Sequence, residues 1–335
     1  MPMHPYWQAA LEETAVDGEG SLDLRQEQAQ AALSKSVIAP LPEQGVIHVS
    51  GSDAAGFLHA QLSNSIEDLE TGASRLAAWC SPKGRTLALF RVIAAGDGFV
   101  ILLDRSLVGN TLKRLKLFVL RSDVVLTDRS DDWAAFGVAG DSIADILAAT
   151  LGAPPGSAEN TCWHGDLGTL AFPGRHPRYL VIGPAAAVIE QWRTLSQHLT
   201  PVDSDAWQLL DIRDARPTVT AATSDAFVPQ MLNLEPLGGL SFTKGCYPGQ
   251  EVVARLHYRG QLKRRVYRLQ LPVTQPPAPG EELDDGAGVI LNAAIDGKGV
   301  EALAVIGVET AAGTGLSYRG QPASLADLPY RQPES

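Results

Sequence analysis

Apolar residues in this chain change their spacing several times, and each change predicts a different kind of element. Val46 to Val49 reads as a short strand, and Ser52 or Asp53 then caps a helix in which Phe57, Leu58 and Leu62 fall one turn apart. Leu87 to Ile93 and Phe99 to Leu103 flank the turn Ala95-Gly96-Asp97-Gly98, which predicts a hairpin. Leu107, Val108, Leu115, Phe118 and Val119 return to helical spacing, and Val124 to Leu126 follows as another strand. A similar order starts again at Trp133. It predicts a strand at Ala135 to Val138, a helix from Asp141 to Leu151, strands near Leu170 and at Tyr179 to Ile182, and a helix from Pro184 to Leu199. The Gly152-Ala153-Pro154-Pro155-Gly156 loop marks a surface excursion.

A helix around Trp207 to Ile212 leads into an irregular stretch from Thr218 to Gly239. Beyond Arg265 the pattern becomes short strands, at Val266 to Leu271, Val289 to Leu291, Ala302 to Val308 and Gly315 to Tyr318, separated by Pro276, Pro277, Pro279 and Gly280. That rhythm suits a small β-barrel or sandwich. The expected class is α+β. Residues 1–130 form a first α/β lobe with an acidic leader to residue 40, and residues 131–204 form a second. Residues 205–261 are a helix and a motif-rich segment packing back on the first lobe, and 262–335 form the C-terminal β-barrel.

Composition narrows the class further. At 335 residues, 45% hydrophobic and 19% charged, the chain has the material for two or three packed cores and is too apolar for a disordered scaffold. Its longest apolar runs stop far short of the ~18 residues a membrane helix needs, so no membrane partner is expected. Three cysteines at wide spacing, Cys80, Cys162 and Cys246, form neither a disulfide framework nor a CxxC metal site. The leader carries Glu12, Glu13, Asp17, Glu19, Asp23 and Glu27 and resembles no targeting peptide, and the cytoplasm is the expected compartment.

A net charge of -11 argues against nucleic acid as a direct partner, but the charge is unevenly spread. Between Lys244 and Arg268 stand seven basic side chains against one acid, Glu251. The segment reads either as a solvated strand and loop, with His257 a solvated strand histidine, or as a local anion site on an acidic body.

Within this segment, Lys244-Gly245-Cys246-Tyr247-Pro248-Gly249-Gln250-Glu251 is the densest collection of special residues in the chain. Two glycines bracket a thiol and let the backbone turn tightly against a ligand. A neighbouring lysine favours the thiolate, which makes Cys246 a candidate nucleophile, metal ligand or redox-sensing thiol. Cys80 pairs with it only if the fold brings the two within about 7 Å at Cα. The seven histidines show no HxH or HxxxH pair, and no P-loop or GxGxxG follows a strand, so neither a zinc site nor a nucleotide cofactor is expected.

This run closely resembles the signature of the YgfZ family, folate-binding relatives of the glycine-cleavage aminomethyltransferase, or T protein. Phe227-Val228-Pro229-Gln230, Asn233-Leu234-Glu235, Leu237-Gly238-Gly239-Leu240-Ser241-Phe242 and Ala254-Arg255 extend the match, as do Gly51-Ser52-Asp53-Ala54, Gln61, Asn64 and Ala78-Trp79-Cys80-Ser81-Pro82-Lys83-Gly84-Arg85. The resemblance spans roughly residues 45 to 270. It implies a three-domain ring around a central hole that binds tetrahydrofolate or a derivative, with the signature loop facing that hole. It also implies a part in maintaining iron-sulfur proteins, including enzymes that thiolate tRNA.

On this reading Cys246 is the reactive thiol. The expected folate contacts are Trp207, which matches the family's folate-contacting tryptophan, with Lys244, Gly245, Tyr247, Gly249, Gln250, Glu251 and Arg255. A folate pocket needs an aromatic wall, a polar reader for the pterin edge and a cationic rim, and the basic run after Cys246 is the candidate rim. Two positions depart from the wider pattern. Arg213-Asp214-Ala215 stands where the family and the T protein usually carry Glu-Ala-Gly, which puts the pterin hydrogen bonds in question. Leu87 and Ala88 occupy the acidic positions of the T protein, as is usual for YgfZ proteins, and neither can serve as an acid or base. Folate-dependent aminomethyl transfer is therefore the lesser reading, and a non-catalytic scaffold gripping an iron-sulfur carrier or tRNA is the alternative from another class.

Overall fold

The computed structural model describes residues 21–152, 161–172, 174, 176–313 and 315–331, together with Trp7, Gln8, Ala10 and Leu11. The loop expected after Gly152, residues 12–20 of the acidic leader and the Cys162 side chain lie outside the described residues. No helix among them is long and apolar enough to cross a membrane.

The fold is mixed α and β, arranged around three sheets. Five antiparallel strands make the first sheet, in the order Ser74–Cys80, Thr86–Ala95, Gly98–Asp104, Gln44–Ser50 and Val125–Asp128. The hairpin closes where its turn residues predict, with Ala95 opposite Gly98. Helices Ala54–Gln61 and Val108–Val119 bury Phe57, Leu58 and Leu115 against the sheet, as their spacing predicts, together with Leu112, while Phe118 faces solvent.

The second sheet has six strands, ordered Thr200–Pro201, Val37–Pro40, Trp133–Ala139, Arg178–Pro184, Leu167–Phe172 and Thr161–His164. Helices Ile143–Leu151 and Ala185–Leu195 cover one face through Ile143, Leu147, Val188, Ile189 and Trp192. The second of these is shorter than expected, because the chain leaves the helix at Ser196 to place Thr200 beside Val37. Val37–Pro40 is buried at every position and so carries no alternation to announce it as a strand.

The third sheet is antiparallel, in the order Gly288–Ile295, Val300–Gly307, Arg264–Leu271 and Ser324–Ala326. Two apolar clusters join the sheets. Val46, Ile93, Val100 and Leu102 of the first pack on Ala135, Leu170, Leu180 and Ile182 of the second. A larger cluster carries the first sheet through Leu209, Ile212, Phe227, Leu232 and Leu234 to Val266, Leu291, Leu303 and Val305 of the third. Each fully buried Val, Leu or Ile contributes about 1.5–3 kcal/mol, so these seams hold the three sheets in fixed relation.

One expectation is corrected. The basic stretch begins with a helix, Gln250–Arg259, before the strand Arg264–Leu271, and His257 lies on the helix and not on a strand. Gly249, at φ 80°, turns the chain into this helix, and the dense glycine, proline and charge of the segment mask a pattern in which Val253 alone is fully buried.

Candidate functional site

The meeting of the three sheets leaves a cavity of about 930 Å³. Helix Ser204–Arg213 provides one wall, held at its start by Asp203, whose carboxylate accepts from the Ala206 N–H at 2.8 Å. Trp207, Gln208 and Asp211 share the face turned to the cavity, as positions one turn apart must. Trp207 is buried edge-on to Phe172, with centroids 6.3 Å apart. Its ring lies so close to Gly137 that a Cβ there would sit 2.4 Å from it.

The charged groups lining the cavity and packed on its tryptophan wall fall into two sets. Arg178, fully buried, lies 5.0 Å over the Trp207 ring and puts Nη1 2.9 Å from Asp211 Oδ1 and Nη2 2.6 Å from Asp214 Oδ2. Arg216 lies 4.6 Å over the Phe172 ring. Burial, then repulsion from Arg91, pushes the Arg216 guanidinium down to about 9, against the pull of Asp211. Arg91 and Arg216 thus present positive charge to the cavity. Glu43, Asp104 and Asp205 line it as well, with burial raising the pKa of Glu43 and Asp104 above the usual carboxylate range.

Arg213, which stands where the family usually has an acid, is not among the cavity residues. It donates from Nε and Nη2 to Glu301 Oε1 at 2.9 and 2.7 Å, across to the third sheet. Carboxylates reach the cavity from Asp211 and Asp214 instead. Ala215, at the position of the usual glycine, ends the helix in the left-handed region at φ 51°.

Trp207 is the one sequence-expected residue that lines this cavity among the described residues. The signature loop sits elsewhere, against the first sheet. The Lys244 ammonium donates to the carbonyls of His59 and, at 2.6 Å, Leu62, satisfying acceptors at the end of helix Ala54–Gln61. Burial lowers its pKa to about 8, opposed by Glu67 and Cys246. This lysine clamps backbone as well as acting on the thiol, the one role the sequence suggests.

Cys246 is free and exposed, whereas Cys80 is buried, with its thiol pushed up to about 12 by burial and then by Asp225. Burial, with Cys80 nearby, also raises the Tyr247 phenol. Gly249 packs on the Ser81-Pro82-Lys83-Gly84 turn, where a Cβ would come 2.4 Å from the Ser81 carbonyl. Gln250 Oε1 accepts the Tyr247 N–H at 3.2 Å and closes the loop, Gly245 faces open space beside His59, and Glu251 and Arg255 are exposed.

Arg91, Arg178, Asp211 and Arg216 are the functional candidates that sequence reasoning passes over, whereas Asp214 belongs to the departing run Arg213-Asp214-Ala215. Arg91 alone carried a signal, as a charge inside the otherwise apolar run Leu87 to Ile93. No group of three or more His, Cys, Asp or Glu among the described residues could hold a metal ion.

Residues 21–163 match the family model of the GCVT N-terminal domain. The tRNA-modifying protein YgfZ of Sodalis glossinidius is 31% identical over 301 residues, covering 87% of this chain and 92% of that protein. The chain belongs to the YgfZ family. YgfZ of Yersinia pseudotuberculosis is 33% identical over 244 residues, 73% of this chain and 74% of its own. The crystal structure of the glycine cleavage system aminomethyltransferase T from Bartonella henselae superposes with a TM-score of 0.75 at 14% identity, covering 98% of this chain and 97% of that one. The YgfZ chain therefore has the fold of the T protein. Leu87 and Ala88 are both buried in strand Thr86–Ala95 of this YgfZ protein, so no carboxylate stands at either position.

Proposed function

We propose that this YgfZ protein binds a reduced folate in the cavity between its three sheets, and serves tRNA modification by supporting iron-sulfur enzymes, with Cys246 as the reactive thiol. The observation that carries the reading is the cavity lining, which combines a tryptophan wall, a carboxylate pair one turn along the same helix and two inward arginines. Those parts fit the ligand. Asp211 offers acceptors for the amino and N–H edge of a pterin, Trp207 and Phe172 give apolar walls, and Arg91 with Arg216 holds the glutamate carboxylates.

In this reading the three sheets belong to a three-domain ring, with the C-terminal strands as its barrel and the cavity as its central hole. A bound reduced folate would supply a carrier of one-carbon units. The chain's own residues orient it, exclude water from its pterin and neutralise its tail. Aminomethyl transfer lacks support, because Leu87 and Ala88 cannot move a proton. The scaffold reading keeps one observation in its favour, the engagement of the Lys244 ammonium with two carbonyls.

The test is mass spectrometry of thiolated tRNA nucleosides in cells lacking this protein, complemented with wild type or Cys246→Ser. Restoration by wild type alone, with the variant folded and abundant, supports the thiol role. Equal restoration by both favours the scaffold.

A further inference from the structure

The fold gathers two basic segments that lie far apart in the sequence. Gly84 is packed so tightly on the signature helix that a Cβ there would meet Val252 Cβ at 2.7 Å. Lys83 and Arg85, on either side of Gly84, are exposed beside this contact. Positions 252, 255 and 259 lie along one stripe of a helix, so Arg255 and Arg259 continue the same surface, and Lys263 and Arg264 follow it. All six are charged side chains outside any ion pair among the described residues, Arg85 donating only to the Asp225 carbonyl. Glu251 is the one carboxylate on this helix, and nearby Glu235 is held by His257 at 3.0 Å.

Aromatic rings interrupt the charge. Phe242 stacks on His257 with centroids 3.7 Å apart and planes 15° from parallel, and Tyr258 stands edge-on to both at 6.2 and 4.7 Å. Tyr258 is 67% exposed, although nothing in its own chain requires a large ring in water there. Cys246 opens on to solvent in the loop that leads into the same helix.

We infer that this surface binds a single-stranded RNA loop, with phosphates on the six cations and an unstacked base on Tyr258. Exposed rings between unpaired arginines and lysines are what such strands require, since stacking tolerates any base and charge follows the backbone. The net charge of -11 does not oppose this, because the acid excess lies outside the surface. The inference rests on the proposed role in tRNA modification for its class of partner, and it makes that role a direct contact.

The test is fluorescence anisotropy with a labelled RNA hairpin, beside duplex RNA and an acidic polyglutamate peptide. Saturable hairpin binding is expected, tighter than duplex, with a log-log salt slope of about -0.7 per contacted phosphate. Tyr258→Ala should weaken hairpin binding on the order of ten-fold at an unchanged slope, with Tyr258→Phe retaining it. Arg255→Gln with Arg259→Gln should lower the slope by about 0.7 per residue. Absence of hairpin binding at low salt, wild-type behaviour of these variants, equal duplex binding or preference for polyglutamate would each overturn the inference, the last in favour of an acidic protein. Tetrahydrofolate titrated into the same variants separates the two readings, since folate binding without RNA binding overturns this one alone.

Discussion

The Arg178 guanidinium lies 2.6 Å from the Asp214 carboxylate, with side chains 1% and 8% exposed. Loss of Asp214 leaves the buried guanidinium with Asp211 alone, and loss of Arg178 removes the cation that faces both carboxylates. Asp214→Leu should destabilise by about 3–5 kcal/mol in urea unfolding. Combining it with Arg178→Met should cost clearly less than the sum of the single changes. Additive costs would show that the pair does not act as a unit.

Asp203 caps the Trp207 helix at the expense of a buried charge. Burial raises its pKa to about 6 from 3.8, with repulsion from Asp205 adding and the Ala206 N–H opposing. The folded state therefore binds the proton more tightly than the unfolded one, and this group's contribution to stability falls as pH rises from about 4 to 6. Asp203→Asn keeps the cap and removes the charge. It should stabilise the protein by about 1–3 kcal/mol at pH 7.5 and lose that advantage by pH 4, as followed by thermal unfolding at both pH values.

Gly137 is fixed by the tryptophan it faces. Gly137→Ala forces the Trp207 ring or its helix to shift, an overpacking that costs about 1–3 kcal/mol. Unchanged melting temperature together with unchanged tryptophan emission would show that the contact is slack.

Lys244 and Cys246 should separate by experiment. Lys244→Met leaves the His59 and Leu62 carbonyls without their donor and should cost about 1–3 kcal/mol. In the native wild type, iodoacetamide should modify Cys246 well before Cys80, which burial keeps protonated. Equal labelling of the two, read by peptide mass spectrometry, would contradict the placement.

The regular elements were legible where one face is buried and the other wet. Hairpin Thr86–Ala95 with Gly98–Asp104 and helix Val108–Val119 follow from apolar spacing and turn residues. Val37–Pro40 was not legible, because a strand buried at every position has no period. The signature announced itself by its glycines and thiol, yet sequence adjacency did not show that Lys244 also donates to two carbonyls. Those acceptors lie about 180 residues away in the chain, beyond the reach of any local pattern. The same distance hid the cavity, whose arginines come from strand Thr86–Ala95 and from the turn after the Trp207 helix. Arg213 was visible as a departure, but its partner Glu301 was not.

Calorimetric titration with tetrahydrofolate tests the central claim most directly, run on wild type, Trp207→Ala and Arg216→Gln. Saturable binding to the wild type should weaken at least ten-fold, or about 1.4 kcal/mol, in each variant that remains folded by circular dichroism. No binding to the wild type, or equal affinity in all three proteins, would contradict that claim.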